Sequence, residues 1–250
     1  ALSRGETALL RDRDRCTACG ECVRACPSGA MEMLGEEITV SELVKELVKD
    51  RAFFEKSGGG VTLSGGEPSL QPDFSLALMK ALHEEGLSVA LDTCGLTAPE
   101  MLEALVEQAD VVLFGMKLID EAAHKKWTGA GNARIMENLK RVERMVADSK
   151  GKKELWVRTP LIPGATALRE NIHAIGSYLH EHVNGSVTRW ELCAFNNLCR
   201  DKYERLDMEW HFAETQLMTK ADLAQAETWA RESGFDPKRA QVTGAARVEN

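Results

Sequence analysis

From residue 38 onward the apolar and polar positions follow two rhythms in turn. Leu43, Val44, Leu47, Val48 and Phe54 recur at helical intervals and predict a helix over 38–57, with Thr39 and Glu42 at capping-box spacing near its start. Short apolar runs at 60–64, 87–92, 111–117, 155–159 and 187–193 then read as five strands. Helical patterns at 72–85, 97–108, 130–147 and 168–182 lie between them, and a last one covers 220–233. Trp127, Thr128 and Gly129 read as a turn, and Asn132 as the cap of the helix after it. Strands alternating with helices predict βα units around a parallel sheet. Strands of such a sheet are buried on both faces, which accounts for runs like VVLFGM that do not alternate. The first 34 residues follow neither rhythm, so the expected division is 1–34 and 35–250.

In parallel barrels and open parallel sheets the chemistry sits at the strand C-termini. Here SGGEPS (64–69), DTCG (92–95), MKLID (116–120), RTPLIPG (158–164) and CAFNN (193–197) occupy those positions. Polar and glycine-rich residues at five strand ends predict one shared site on one rim.

Composition narrows the options. At 250 residues and 44% apolar, the chain can bury a full core, and a net charge of -8 argues against a nucleic-acid partner. No apolar run is long enough to span a membrane, and the start ALSRGETALL is not a signal peptide. Seven cysteines, four of them crowded into one segment, fit reduced, metal-bound thiols in a cytoplasm better than a secreted disulfide scaffold. A first residue that is not Met suggests a chain processed or cut from something longer.

That crowded segment is CTACGECVRACP, with Cys16, Cys19, Cys22 and Cys26 at the C-x2-C-x2-C-x3-C-P spacing of a bacterial [4Fe–4S] ferredoxin. Small and polar residues between the thiols let the backbone wrap a cluster. A zinc knuckle is the bland alternative, although zinc sites usually separate two C-x2-C units. In two-cluster ferredoxins the fourth cysteine of such a run serves the other cluster, and this chain has no second run. The segment therefore reads as half of a ferredoxin-like module, with the fourth ligand of its cluster left open.

These residues, together with RAFFEKSGGGVTLSGGEPSLQPDF (51–74), LDTCG (91–95), HKKWTGAGNARIMENL (124–139), VRTPLIPG (157–164) and NNLCRDKYERL (196–206), resemble the activating enzymes of glycyl-radical enzymes. Those are a branch of the radical S-adenosylmethionine (SAM) superfamily, and SGGGVTLSGGEP is the most specific piece. The resemblance implies a (βα) barrel in which a reduced [4Fe–4S] cluster cleaves SAM. The resulting 5′-deoxyadenosyl radical takes a hydrogen atom from a glycine of a partner glycyl-radical enzyme, with flavodoxin or ferredoxin as electron donor. By resemblance, Gly65, Gly66 and Glu67 meet the SAM amino group, and Lys117 pairs with its carboxylate. Arg158 lies near the same ligand, Ile162 packs near the adenine, and Asn196 stands where many relatives carry a SAM-facing histidine. Asp92 and Thr93 match positions that help hold a monovalent cation.

Each assignment has a plainer counterpart: Glu67 as a turn carboxylate, Lys117 as a rim lysine, Arg158 as a structural ion pair. Cys94, Cys193 and Cys199 are read as packing residues. Two departures stand out. Gly115 replaces the acidic residue that relatives often place two before the lysine. The C-x3-C-x2-C motif that holds the SAM-cleaving cluster occurs nowhere in the chain. The expectation is a partial barrel without its first strand, N-terminally truncated and inactive as it stands. An iron–sulfur electron-transfer or partner-docking protein without SAM chemistry is the alternative.

Overall fold

The computed structural model describes residues 1–6, 8–183 and 185–247. The chain divides into two compact units, Ala1–Thr39 and Val40–Asn250.

In the first unit, β1 (Leu2–Arg4) pairs antiparallel with β2 (Leu9–Arg11), and a single short helix, α1 (Glu21–Ala25), follows. None of its described side chains is buried. Too short to enclose a hydrophobic core, the segment has no apolar centre of its own.

The second unit opens with α2 (Val40–Leu47) and α3 (Arg51–Ser57), separated by a 3-10 turn at Val48–Asp50. The single helix expected over 38–57 is thus interrupted. Six parallel strands follow: β3 (Gly60–Leu63), β4 (Ser88–Thr93), β5 (Val111–Gly115), β6 (Glu154–Leu161), β7 (Val187–Ala194) and β8 (Ala240–Thr243). Their order in the sheet is their order in the chain. Every crossover therefore steps to the adjacent position, which is how a barrel wall is wound; a doubly wound sheet would reverse direction.

Helices α4 (Pro72–Glu84), α5 (Pro99–Glu107), α7 (Ala133–Asp148), α8 (Arg169–His182) and α10 (Lys220–Glu232) cover the outer face. Their buried positions follow the helical period: Ile135, Asn138, Leu139, Val142 and Val146 form the core stripe of α7. Helix α8 carries Gly176 where α10 ends. A β-carbon there would lie 1.9 Å from Ser233 Oγ, so only a bare backbone permits this approach.

The helices α6 (Glu121–Thr128) and α9 (Arg200–Arg205) and strand β8 are absent from the sequence reading. The expected turn at 127–129 is the C-terminal end of α6, whose Asp120 side chain caps its start by accepting the Ala123 N–H. Its one buried residue is His124, so the charged stretch DEAAHKKW shows no apolar stripe to read. Strand β8 is four residues long with one of them buried, so it carries too little pattern to be seen.

Burial of the strands also differs from expectation. Leu155, Val157, Thr159 and Leu161 of β6 are buried under the helices, whereas Trp156, Arg158 and Pro160 alternate with them and remain half-exposed. The outer face of the sheet holds the core, and the inner face carries Asp92, Arg158 and Glu191 beside Leu113, Trp156 and Pro160.

Candidate active site

The turn after β3 is built by glycine. Gly65 has φ 105°, which L-residues rarely adopt. At Gly65 and Gly66 a β-carbon would meet no atom within 4 Å, so open space lies over this backbone. Neither glycine has a hydrogen-bond partner among the described residues.

Glu67 closes the turn and ties it to the next strand. Its carboxylate accepts the Thr93 hydroxyl at 2.7 Å and the Cys94 N–H at 2.8 Å. It also accepts the Ser69 hydroxyl at 3.1 Å and, more weakly, the Ser69 N–H at 3.4 Å. Burial by itself would raise the Glu67 pKa. The Cys94 N–H, the Thr93 hydroxyl and the further donors outweigh it and hold the carboxyl below its ordinary value of 4.5. Burial, with this carboxylate beside it, pushes the Cys94 thiol above its ordinary value.

Asp92, at the end of β4, accepts Arg158 Nη1 at 2.8 Å and the Ser64 hydroxyl at 3.2 Å. Arg158 Nε lies 3.2 Å from Glu191 Oε2, at an angle that makes no hydrogen bond. Lys117, two residues beyond the end of β5, has no ion-pair or hydrogen-bond partner among the described residues. Its Nζ stands 3.8 Å from where a Gly115 β-carbon would be, so the missing side chain leaves the ammonium bare.

These groups line one cavity of about 370 Å³: Gly65, Gly66, Glu67, Asp92, Thr93, Lys117 and Arg158, joined by Ser64, Cys94, Gly115, Pro160 and Cys193. Seven residues picked from the sequence therefore meet at one place. Ile162 and Asn196 do not line it. Ile162 packs against the core at the start of the loop after β6, and Asn196 is exposed and accepts the Leu198 N–H. Cys94 and Cys193, read as packing residues, are walls of the cavity; their strand-end positions were the available signal. Asn132 does not cap α7 through its side chain. It donates instead to the carbonyls of Leu118 and Ile119, at 3.0 and 2.7 Å, and so holds the loop that carries Lys117. A larger cavity of about 450 Å³ along β3 is mostly apolar and lacks a cationic side chain, so it does not compete as the chemical site.

In the first unit Cys16, Cys22 and Cys26 are half-buried and Cys19 is exposed. Their sulfurs are the donor type a [4Fe–4S] cluster takes, and Gly20, at φ 74°, turns the backbone between them. Among the described residues, however, no three Cys, His, Asp or Glu side chains converge to hold a metal ion, so the four thiols supply the donors without the arrangement. No helix among the described residues is long and apolar enough to cross a membrane.

Residues 15–172 match the radical SAM superfamily. The chain is 36% identical over 219 residues to the isethionate sulfite-lyase activating enzyme of Nitratidesulfovibrio vulgaris, covering 87% of this chain and 69% of that protein. It is 34% identical to the trans-4-hydroxy-L-proline dehydratase activating enzyme of Clostridioides difficile, covering 92% and 84%. It is 33% identical to the pyruvate formate-lyase 2-activating enzyme of Escherichia coli, covering 92% and 77%. Among solved structures, a domain of the pyruvate-formate lyase-activating enzyme of Bacteroides vulgatus superimposes with a TM-score of 0.58 at 24% identity, over 74% of this chain and 99% of that one. A radical SAM methyltransferase of Sphaerobacter thermophilus reaches 0.60 at 15% identity, over 87% and 61%. Both show the fold.

Proposed function

Since the chain belongs to the radical SAM superfamily, within its glycyl-radical activating enzymes, we propose that the cavity at the strand C-termini is its SAM site and that a glycyl-radical enzyme is its protein substrate. The observation that carries this reading is the meeting of the open Gly65–Gly66 turn with the unpaired Lys117 ammonium in one cavity. The residues fit the ligand. Unpartnered backbone at Gly65 and Gly66 suits an ammonium group, and Lys117 suits a carboxylate.

When bound, a reduced [4Fe–4S] cluster and SAM supply hydrogen-atom abstraction from carbon, here from a glycine of the partner. The part of this chain's residues is to bind and orient SAM. Glu67 holds the glycine turn against β4, and Asn132 holds the Lys117 loop. A flavodoxin or ferredoxin supplies the electron.

Residues 1–34 are, on this reading, a ferredoxin-type segment. With no buried side chain among its described residues, it takes its order from the cluster held by Cys16, Cys19, Cys22 and Cys26. Since no C-x3-C-x2-C occurs in these 250 residues, this chain by itself binds SAM without cleaving it. The test is anaerobic reconstitution with iron and sulfide, followed by dithionite and SAM. SAM retained in equilibrium dialysis without 5′-deoxyadenosine is the expected result. Turnover to 5′-deoxyadenosine overturns the inactivity. Bound iron with no SAM affinity favours an electron-transfer or docking protein.

A further inference from the structure

We propose that Glu191 is a positioning residue of this site, acting on the ligand through Arg158; the inference rests on reading the cavity as the SAM site. Glu191 lies in the middle of β7, directly across from Arg158 in the register of β6 with β7, and only 9% of it is exposed. It is not one of the cavity's walls. A buried carboxylate is costly unless it is paired, and this one serves two arginines. Its Oε2 lies 3.2 Å from Arg158 Nε, and its Oε1 lies 3.4 Å from Arg189 Nη1.

The far side of this arrangement is anchored. The Arg189 guanidinium sits 3.8 Å over the Trp156 ring, and the Trp156 indole N–H donates to Glu154 at 2.8 Å. The near side ends at the cavity, where Arg158 Nη1 donates to Asp92 and Asp92 accepts Ser64. Charges therefore alternate across the inner face: Arg189, Glu191, Arg158, Asp92.

The guanidinium is planar, so holding two of its nitrogens fixes the direction of the third. Asp92 takes Nη1 and Glu191 faces Nε, the Cys193 thiol lies beside the guanidinium, and Nη2 has no oxygen partner among the described residues. Nη2 is thus the nitrogen left to meet an anionic oxygen of a ligand, and Glu191 sets its aim from behind. Without the carboxylate, Arg158 and Arg189 face each other as like charges, and Arg158 keeps only Asp92 and the Cys193 thiol beside it.

The experiment is equilibrium dialysis of SAM against the full chain and its Glu191→Gln, Glu191→Asp, Arg158→Met and Glu191→Gln/Arg158→Met variants. Glu191→Gln is expected to weaken binding about tenfold, the weight of the one charge-assisted hydrogen bond that a misaimed Arg158 Nη2 no longer makes to the ligand. Glu191→Asp should recover part of that. The double variant should bind no more weakly than Arg158→Met alone, because Glu191 then has nothing left to orient. Additive losses, or an unchanged affinity in Glu191→Gln, overturn the proposal. A second measurement needs no ligand: phenylglyoxal labelling of Arg158, mapped by mass spectrometry, should be severalfold faster in Glu191→Gln than in the parent chain. An unchanged labelling rate also overturns it. Failure of the parent chain to bind SAM overturns the reading of the cavity, and the labelling rate then decides by itself whether Glu191 orients Arg158.

Discussion

Glu67 ties two strand ends together, and replacing it tests how much that tie contributes. In Glu67→Ala the Thr93 hydroxyl and the Cys94 N–H lose an ionised acceptor at 2.7 and 2.8 Å. The two Ser69 contacts, at 3.1 and 3.4 Å, are weaker and contribute little more. Hydrogen bonds to a charged group are worth about 1.5–3 kcal/mol each. Water reaches this half-buried site, so the lower end applies, and the expected loss is about 3 kcal/mol at neutral pH. With a urea m-value of about 3 kcal/mol/M, the midpoint should fall by about 1 M. The pH dependence has a definite sign. The folded-state pKa lies below the ordinary 4.5, so the stabilisation is fully present above pH 4.5 and disappears as pH falls through the lower, folded value. Urea melts of the parent chain and of Glu67→Ala should therefore differ most at pH 7, and the gap should narrow under acid. Equal midpoints at pH 7, or a gap that does not narrow in acid, would refute the bracing role of the ionised carboxylate.

Three further outcomes follow from the same contacts. Lys117→Met should weaken SAM binding by about tenfold to a hundredfold in equilibrium dialysis while leaving the melting temperature nearly unchanged, since its ammonium makes no ion pair or hydrogen bond among the described residues. Gly176→Ala should cost about 1–3 kcal/mol in thermal melts by pushing α8 from α10, and Gly176→Ala combined with Ser233→Gly should recover most of it. Asn132→Asp should destabilise the chain by about 1–3 kcal/mol in urea melts, because a carboxylate cannot donate to the Leu118 and Ile119 carbonyls; a capping role would tolerate it.

The strands found from the sequence were those whose apolar runs are long enough to stand out, and they coincide with β3 to β7. Strand β8 was missed because one buried residue in four is no pattern, and α6 because its charged face dominates a short helix. The expectation that the strands are buried on both faces failed for β6, where the inner face carries Trp156, Arg158 and Pro160. The site divided along the same line. Gly65, Gly66, Glu67, Asp92, Thr93 and Lys117 stood out in the sequence at strand ends, and all of them line the cavity. Asn196 resembled a ligand position, yet it stands in an exposed loop outside the cavity.

Local order belongs to the sequence by itself: the alternation of strand and helix, the glycine turn after β3, the ferredoxin spacing of four thiols, and the family these imply. Short-range periodicity and turn chemistry operate over a few residues, so they can be read along the chain. Pairing at a distance belongs to the tertiary structure. It placed Glu67 on Thr93 and Cys94, left Lys117 without an ion pair or hydrogen bond among the described residues, and set Glu191 between Arg158 and Arg189. Such partners are brought together by the register of parallel strands, and a charged residue's role depends on which opposite charge stands across from it, which no stretch of a few residues can specify.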